Sequence, residues 1–125
     1  MQRLQILATS ISSENSPKTI VEKVEGVATI WLNSPKDLNC LSLVMAASLK
    51  QALASLDSDK KVKLILIRSK HSKVFCAGAD IKHMKESDYS SYPHSQHFPS
   101  LERAFKNVRK PIIAVVEGKA LGGGF

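Results

Sequence analysis

Two short apolar runs, each leading toward a patch of small residues, constrain this chain most: Leu64–Ile67 ahead of Ala77–Gly78–Ala79, and Ile112–Val116 ahead of Gly122–Gly124. A continuous aliphatic run of this length reads as a strand covered on both faces, the habit of parallel sheets. Parallel neighbours cannot be joined by a tight turn, and the connection expected between them is a right-handed helical crossover. The sequence supplies the helices. Met45, Leu49, Leu53 and Leu56 recur on one helical face, with Ser42 placed as an N-cap. Leu101, Ala104, Phe105 and Val108 mark a second amphipathic helix, ended by Lys110–Pro111. Ahead of both, Thr19–Val24 and Val27–Leu32 flank Glu25–Gly26 as the arms of a hairpin. The order of elements is that of an α/β fold.

Composition narrows the class. The chain has 125 residues, 43% hydrophobic and 23% charged, within the range of one globular domain or a piece of one. No apolar run reaches the roughly 20 residues that span a bilayer, so no membrane partner is expected. A net charge of +7 favours anionic partners: nucleic acid, a membrane surface or a phosphorylated ligand. The densest basic stretch, Lys60, Lys61 and Lys63, reads as a solvated face rather than an RNA-binding patch. Cys40 and Cys76 have no C-x-x-C spacing and cannot frame a disulfide scaffold, which points to a reducing compartment. Residues 1–17 form a polar leader and residues 18–125 the folded part. Within the leader, Leu4, Leu7 and Ile11 could share a helical face as in a mitochondrial targeting segment, or the stretch could be a plain disordered tail. Asp80–Glu86 reads as a helical turn, and Ser87–Ser100, rich in Ser, Tyr, His and Pro, as a surface loop. His94 and His97 lack a zinc spacing, so no metal is expected there, and His71 and His83 read as exposed.

The chemistry sits in two segments, Val74-Phe-Cys-Ala-Gly-Ala-Asp-Ile-Lys82 and Lys110-Pro-Ile-Ile-Ala-Val-Val-Glu-Gly-Lys-Ala-Leu-Gly-Gly-Gly-Phe125. Each puts small residues past the carboxyl end of a predicted strand, where ligands of α/β sheets bind. Backbone N–H groups at such turns point outward as donors to negative charge. Taken singly, neither segment is decisive, because a glycine run after a strand is more often just a tight turn. Neither is a phosphate loop, because G-x-x-x-x-G-K-[ST] is absent and the glycines do not follow G-x-G-x-x-G.

Together, F-C-A-G-A-D-I-K and A-L-G-G-G resemble the paired oxyanion segments of the enoyl-CoA hydratase/isomerase (crotonase) superfamily. Leu32-Asn-Ser-Pro35, Asn39-Cys-Leu-Ser42 and Asp59–Arg68 extend the likeness, which covers about residues 19–125. The resemblance implies a crotonase-like spiral of ββα units, here its amino-terminal half. It implies that the backbone N–H groups of Ala79 and Gly123 polarise an acyl-CoA thioester carbonyl, with hydration of 2-enoyl-CoA as the parent activity. Isomerisation of an enoyl-CoA, or a non-catalytic binding role, are the alternatives. Cys40, Ala77, Ala79, Asp80, Ile81, Lys82 and Gly123 would line the substrate path; Lys82 could pair with CoA phosphates or simply cover the loop. Acyl-CoA is then substrate, and no separate cofactor is expected. Trimeric or hexameric assembly would belong to the full-length domain. A mitochondrial location is implied, with cytoplasm or peroxisome as the other compartments, and nucleic acid is not the expected partner. The family's first acid–base glutamate would fall directly beyond Phe125, and its second further on. Glu117 stands ahead of the substrate-facing turn and is not assigned an acid or base role.

Overall fold

A computed structural model describes residues 5–8, 17–79 and 97–124. Their elements run β1 (Gln5–Ala8), β2 (Thr19–Val24), β3 (Val27–Leu32), a 3-10 turn (Pro35–Asp37), α1 (Leu43–Ser58), β4 (Leu64–Ser69) and β5 (Val74–Cys76). Then come α2 (His97–Lys106), β6 (Ile112–Ala114), β7 (Lys119–Ala120) and a 3-10 turn of Gly122–Gly124. The larger sheet has the order β1-β2-β3-β4-β6, antiparallel from β1 to β3 and parallel from β3 to β6. β5 and β7 pair in parallel as a separate small sheet. Both β4–β5 and β6–β7 therefore give their first strand to the large sheet and their second to the small one. That repetition is what stacks the turns after β5 and β7 beside each other.

The hairpin forms where the sequence places it. Glu25 (φ 50°) and Gly26 (φ 84°) both take left-handed backbone, the two-residue geometry whose twist matches the flanking strands. α1 begins as expected, the Ser42 hydroxyl accepting from the Met45 N–H at 3.1 Å. Its Met45, Leu49, Leu53 and Leu56 are buried against Ile30 and Ile65 of the sheet. Lys110 closes the far end by donating its ammonium to the carbonyls of Leu56 and Asp59, the last of which follows the helix. Cations are favoured at such a helix end.

Four expectations are adjusted. Gln5–Ala8 forms a strand against β2, so Leu7 stands in a sheet and not on a helical stripe; Leu4 and Ile11 lie outside the described residues. α2 starts at His97, inside the segment read as loop. Pro99 is tolerated there because the N–H groups of a helix's first turn have no partner within the helix. The last aliphatic run is regular only over Ile112–Ala114 and is not covered on both faces, with Ile113 49% and Val116 52% exposed. Among the described residues β6 is an edge strand of the larger sheet. His71 is half-buried rather than exposed, its Nδ1 accepting from the Lys73 N–H. Among the described residues no helix is long and apolar enough to cross a membrane.

Candidate functional site

The turns after β5 and β7 lock together through their backbones. The Leu121 N–H donates to the Cys76 carbonyl at 3.0 Å, and the Lys119 N–H to the Lys73 carbonyl at 3.0 Å. Gly78 has φ +92°, and a Cβ there would stand 2.5 Å from the Leu121 carbonyl oxygen and 3.1 Å from the Gly123 nitrogen. Only a residue without Cβ permits that approach. The segments that carry Ala79 and Gly123 adjoin at this contact.

A second strip clamps the first turn from the opposite side. The Ala77 N–H donates to the Leu38 carbonyl at 3.0 Å, the Leu41 N–H donates to the Gly78 carbonyl at 2.6 Å, and Leu41 and Ala79 form a parallel bridge. Cys40, in the middle of that strip, is buried, in keeping with a small packed residue. Ala77, Ala79, Gly123 and the Cys40 strip thus come together. Asp80, Ile81 and Lys82 lie outside the described residues.

The amides themselves are the chemically interesting groups. Among the described residues neither the Ala79 nor the Gly123 N–H donates to a backbone carbonyl, while their neighbours Ala77, Leu121 and Gly124 all do. Ala79 is partly exposed and Gly123 exposed. Two unspent donors on adjoining turns can take an anionic or strongly polarised oxygen. The ring of Phe98 packs over Gly123, its Cε1 2.9 Å and the Leu41 Cδ1 3.6 Å from where a Cβ would stand. Behind the glycine turn lies a cavity of about 300 Å³ whose walls include Leu41, Phe75, Leu101, Phe105 and Ile112. Among the described residues no charged side chain lines it.

The titratable groups nearby serve structure. Burial pushes the Cys76 thiol up from its ordinary pKa, and its S–H donates to the Asn39 carbonyl at 3.1 Å; a protonated thiol is not a nucleophile. Glu117 pairs with Arg68 at 3.1 Å, and Arg68 and Lys70 both stand over the Trp31 ring. The sequence reading missed Gly78, Leu41, Asn39 and Phe98 as site-forming residues. For Gly78 and Asn39 a signal existed, since Gly and Asn are the residues that tolerate left-handed backbone.

A family profile described as enoyl-CoA hydratase/isomerase matches residues 27–125. A probable enoyl-CoA hydratase of Rhizobium meliloti is 39% identical over 110 residues, covering 87% of this chain and 42% of that protein. The mitochondrial 3-hydroxyisobutyryl-CoA hydrolase of Danio rerio is 33% identical over 118 residues, 91% of this chain and 31% of that protein. Among solved structures, human enoyl coenzyme A hydratase domain-containing protein 3 superposes with a TM-score of 0.75 at 30% identity. The superposition covers 86% of this chain and 43% of that one. The chain therefore spans less than half the length of each of these proteins.

Proposed function

This chain belongs to the enoyl-CoA hydratase/isomerase family and carries part of its crotonase fold, and from that premise we propose that it binds an acyl-CoA thioester across the junction of the two small-residue turns. The N–H groups of Ala79 and Gly123 take the thioester carbonyl oxygen, and the parent reaction is addition of water to a 2-enoyl-CoA. The observation that carries this reading is the locked pair of turns, each with an amide that donates to no backbone carbonyl among the described residues. Attack of water on the β-carbon moves negative charge onto the thioester oxygen, where preorganised donors stabilise it. Loss of one such donor typically costs ~10²–10³ in rate. Donors held by backbone bonds to the neighbouring strip need no reorganisation when that charge develops.

The same polarised carbonyl also serves thioester hydrolysis, and the matched 3-hydroxyisobutyryl-CoA hydrolase of Danio rerio keeps that second reading in view. The discriminating experiment compares butyryl-CoA with S-butyl-CoA, a thioether that lacks only the carbonyl oxygen. Calorimetry should find the thioester bound on the order of tenfold more tightly, the range of a hydrogen bond or two to a buried oxygen. Equal affinities would remove the oxyanion assignment. Product analysis with crotonyl-CoA and with 3-hydroxyisobutyryl-CoA then separates hydration from hydrolysis. Binding without turnover of either would favour a non-catalytic role.

A further inference from the structure

We propose that Asn39 is a positioning residue for this site: its buried side chain shapes the strip that holds the Ala77–Ala79 turn, and so aims the Ala79 amide. The inference rests on the acyl-CoA reading above but is carried by separate observations.

Asn39 has no solvent exposure and takes left-handed backbone, φ 55°, directly after Leu38 at φ 56°. Its Oδ1 accepts from the Ser34 N–H at 2.7 Å, and its Nδ2 donates to the Ser69 hydroxyl at 2.8 Å and to the Phe75 carbonyl at 3.1 Å. The main chain joins in, the Asn39 N–H donating to the Ser34 carbonyl at 2.8 Å and the Asn39 carbonyl accepting the Cys76 S–H. Ser69 passes the link on, donating to the Val74 carbonyl at 2.7 Å. One side chain therefore ties the Pro35–Asp37 loop, the end of β4 and the middle of β5 together.

A core position that needed only volume would hold an aliphatic residue, because burying an amide is unfavourable unless its polar groups are all engaged. Here both N–H groups and the oxygen are engaged, the arrangement that fixes a unique geometry. What it fixes is next door. Leu38 and Leu41, on either side of Asn39 and Cys40, make the backbone bonds that hold Ala77 and Gly78, and Leu41 bridges Ala79. Two successive left-handed residues, Leu38 and Asn39, bend the strip, and the Asn39 amide ties that bend to Ser34, Ser69 and Phe75.

Asn39→Gly tests this, because glycine keeps the left-handed backbone without strain and deletes only the side chain. Ser69→Ala, which removes a single partner, serves as the milder variant if Asn39→Gly does not fold. Amide hydrogen exchange by NMR is read at Ala77 and Leu41, with Ile65 and Lys119 as references on the core and on the far side of β5. The expected result is exchange at Ala77 and Leu41 faster by about tenfold or more, the effect of a buried hydrogen bond or two, with the references changed much less. The butyryl-CoA preference over S-butyl-CoA should fall in parallel. Uniform acceleration at all four amides would mean that Asn39 merely supports the core and would overturn the proposal, as would no acceleration anywhere. Preserved discrimination despite a loosened turn would overturn it too. Should the wild-type protein show no discrimination, the oxyanion reading falls, and the exchange pattern still decides whether Asn39 governs the turn.

Discussion

Replacing Gly78 by alanine strikes the contact on which the site depends. The new Cβ would lie 2.5 Å from the Leu121 carbonyl oxygen and 3.1 Å from the Gly123 nitrogen, both main-chain atoms that cannot swing aside. The residue would also sit at φ +92°. A left-handed L-residue costs about 1–2 kcal/mol, and forcing extra atoms into a packed interior about 1–3 kcal/mol. Together these amount to about 2–5 kcal/mol, a large share of the roughly 5–15 kcal/mol that holds a domain folded. Gly122→Ala is the matched control: its φ is +50°, but nothing lies within 4 Å of the added Cβ. It should lose only the conformational part, about 1–2 kcal/mol. Urea denaturation followed by circular dichroism reads the difference. The clash can be relieved only if the Leu121–Gly124 turn moves off β5, stretching the 3.0 Å bond from the Leu121 N–H to the Cys76 carbonyl. Displacements near 1 Å at a catalytic constellation can cost about 10²-fold, so Gly78→Ala should also lose butyryl-CoA binding. Equal midpoints for the two alanine variants would refute the close packing of the turns. Unchanged thioester binding in Gly78→Ala would refute its functional meaning.

Asp59 accepts from the Lys23 ammonium at 2.7 Å and from the Lys61 N–H at 2.9 Å, and those bonds, the Lys23 one foremost, hold its carboxyl below the ordinary pKa. A depressed folded-state pKa contributes stability above the unfolded value that is lost as pH falls through the folded one. Thermal melts of Asp59→Asn should therefore show a shallower decline below about pH 4 than wild type; parallel declines would remove Asp59 from the acid response. Cys40 and Cys76 are both buried, and burial raises the Cys76 thiol pKa. Iodoacetamide at neutral pH should label Cys76 only after denaturant is added, and mass spectrometry showing rapid labelling of the folded chain would contradict this environment.

Much of the larger sheet was legible because its signals are local. The Glu25–Gly26 turn, the Ser42 cap and the Met45–Leu56 stripe each announce themselves within a few residues. The small sheet was not legible. β7 is two residues, Lys119–Ala120, and pairs with Val74 and Cys76 across the whole of α2 and β6, so nothing in its own sequence marks a strand. The extent of α2 was missed for a different reason. Pro99 reads as a breaker in sequence, yet in the first helical turn it removes an N–H that has no intrahelical partner.

The candidate site divides along the same line between local and non-local information. Small residues past a strand are visible in sequence, and the spacing of the two segments is visible too. Their interlock is not, because it depends on a glycine in one turn admitting the backbone of another. Asn39 shows why the polar support was harder still to see. In a turn-rich stretch an asparagine reads as a solvated loop residue, and only the fold shows it with no exposure and its amide shared among Ser34, Ser69 and Phe75. The proposed backbone donors, Ala79 and Gly123, carry no side-chain signature of their own, so their geometry must be specified by neighbours. At this site the neighbours are one glycine that permits close approach and one buried amide that fixes the bend. Substitutions at Gly78 and Asn39 should therefore perturb the proposed oxyanion geometry more than a change of side chain at Ala79, whose proposed contribution comes from its main chain.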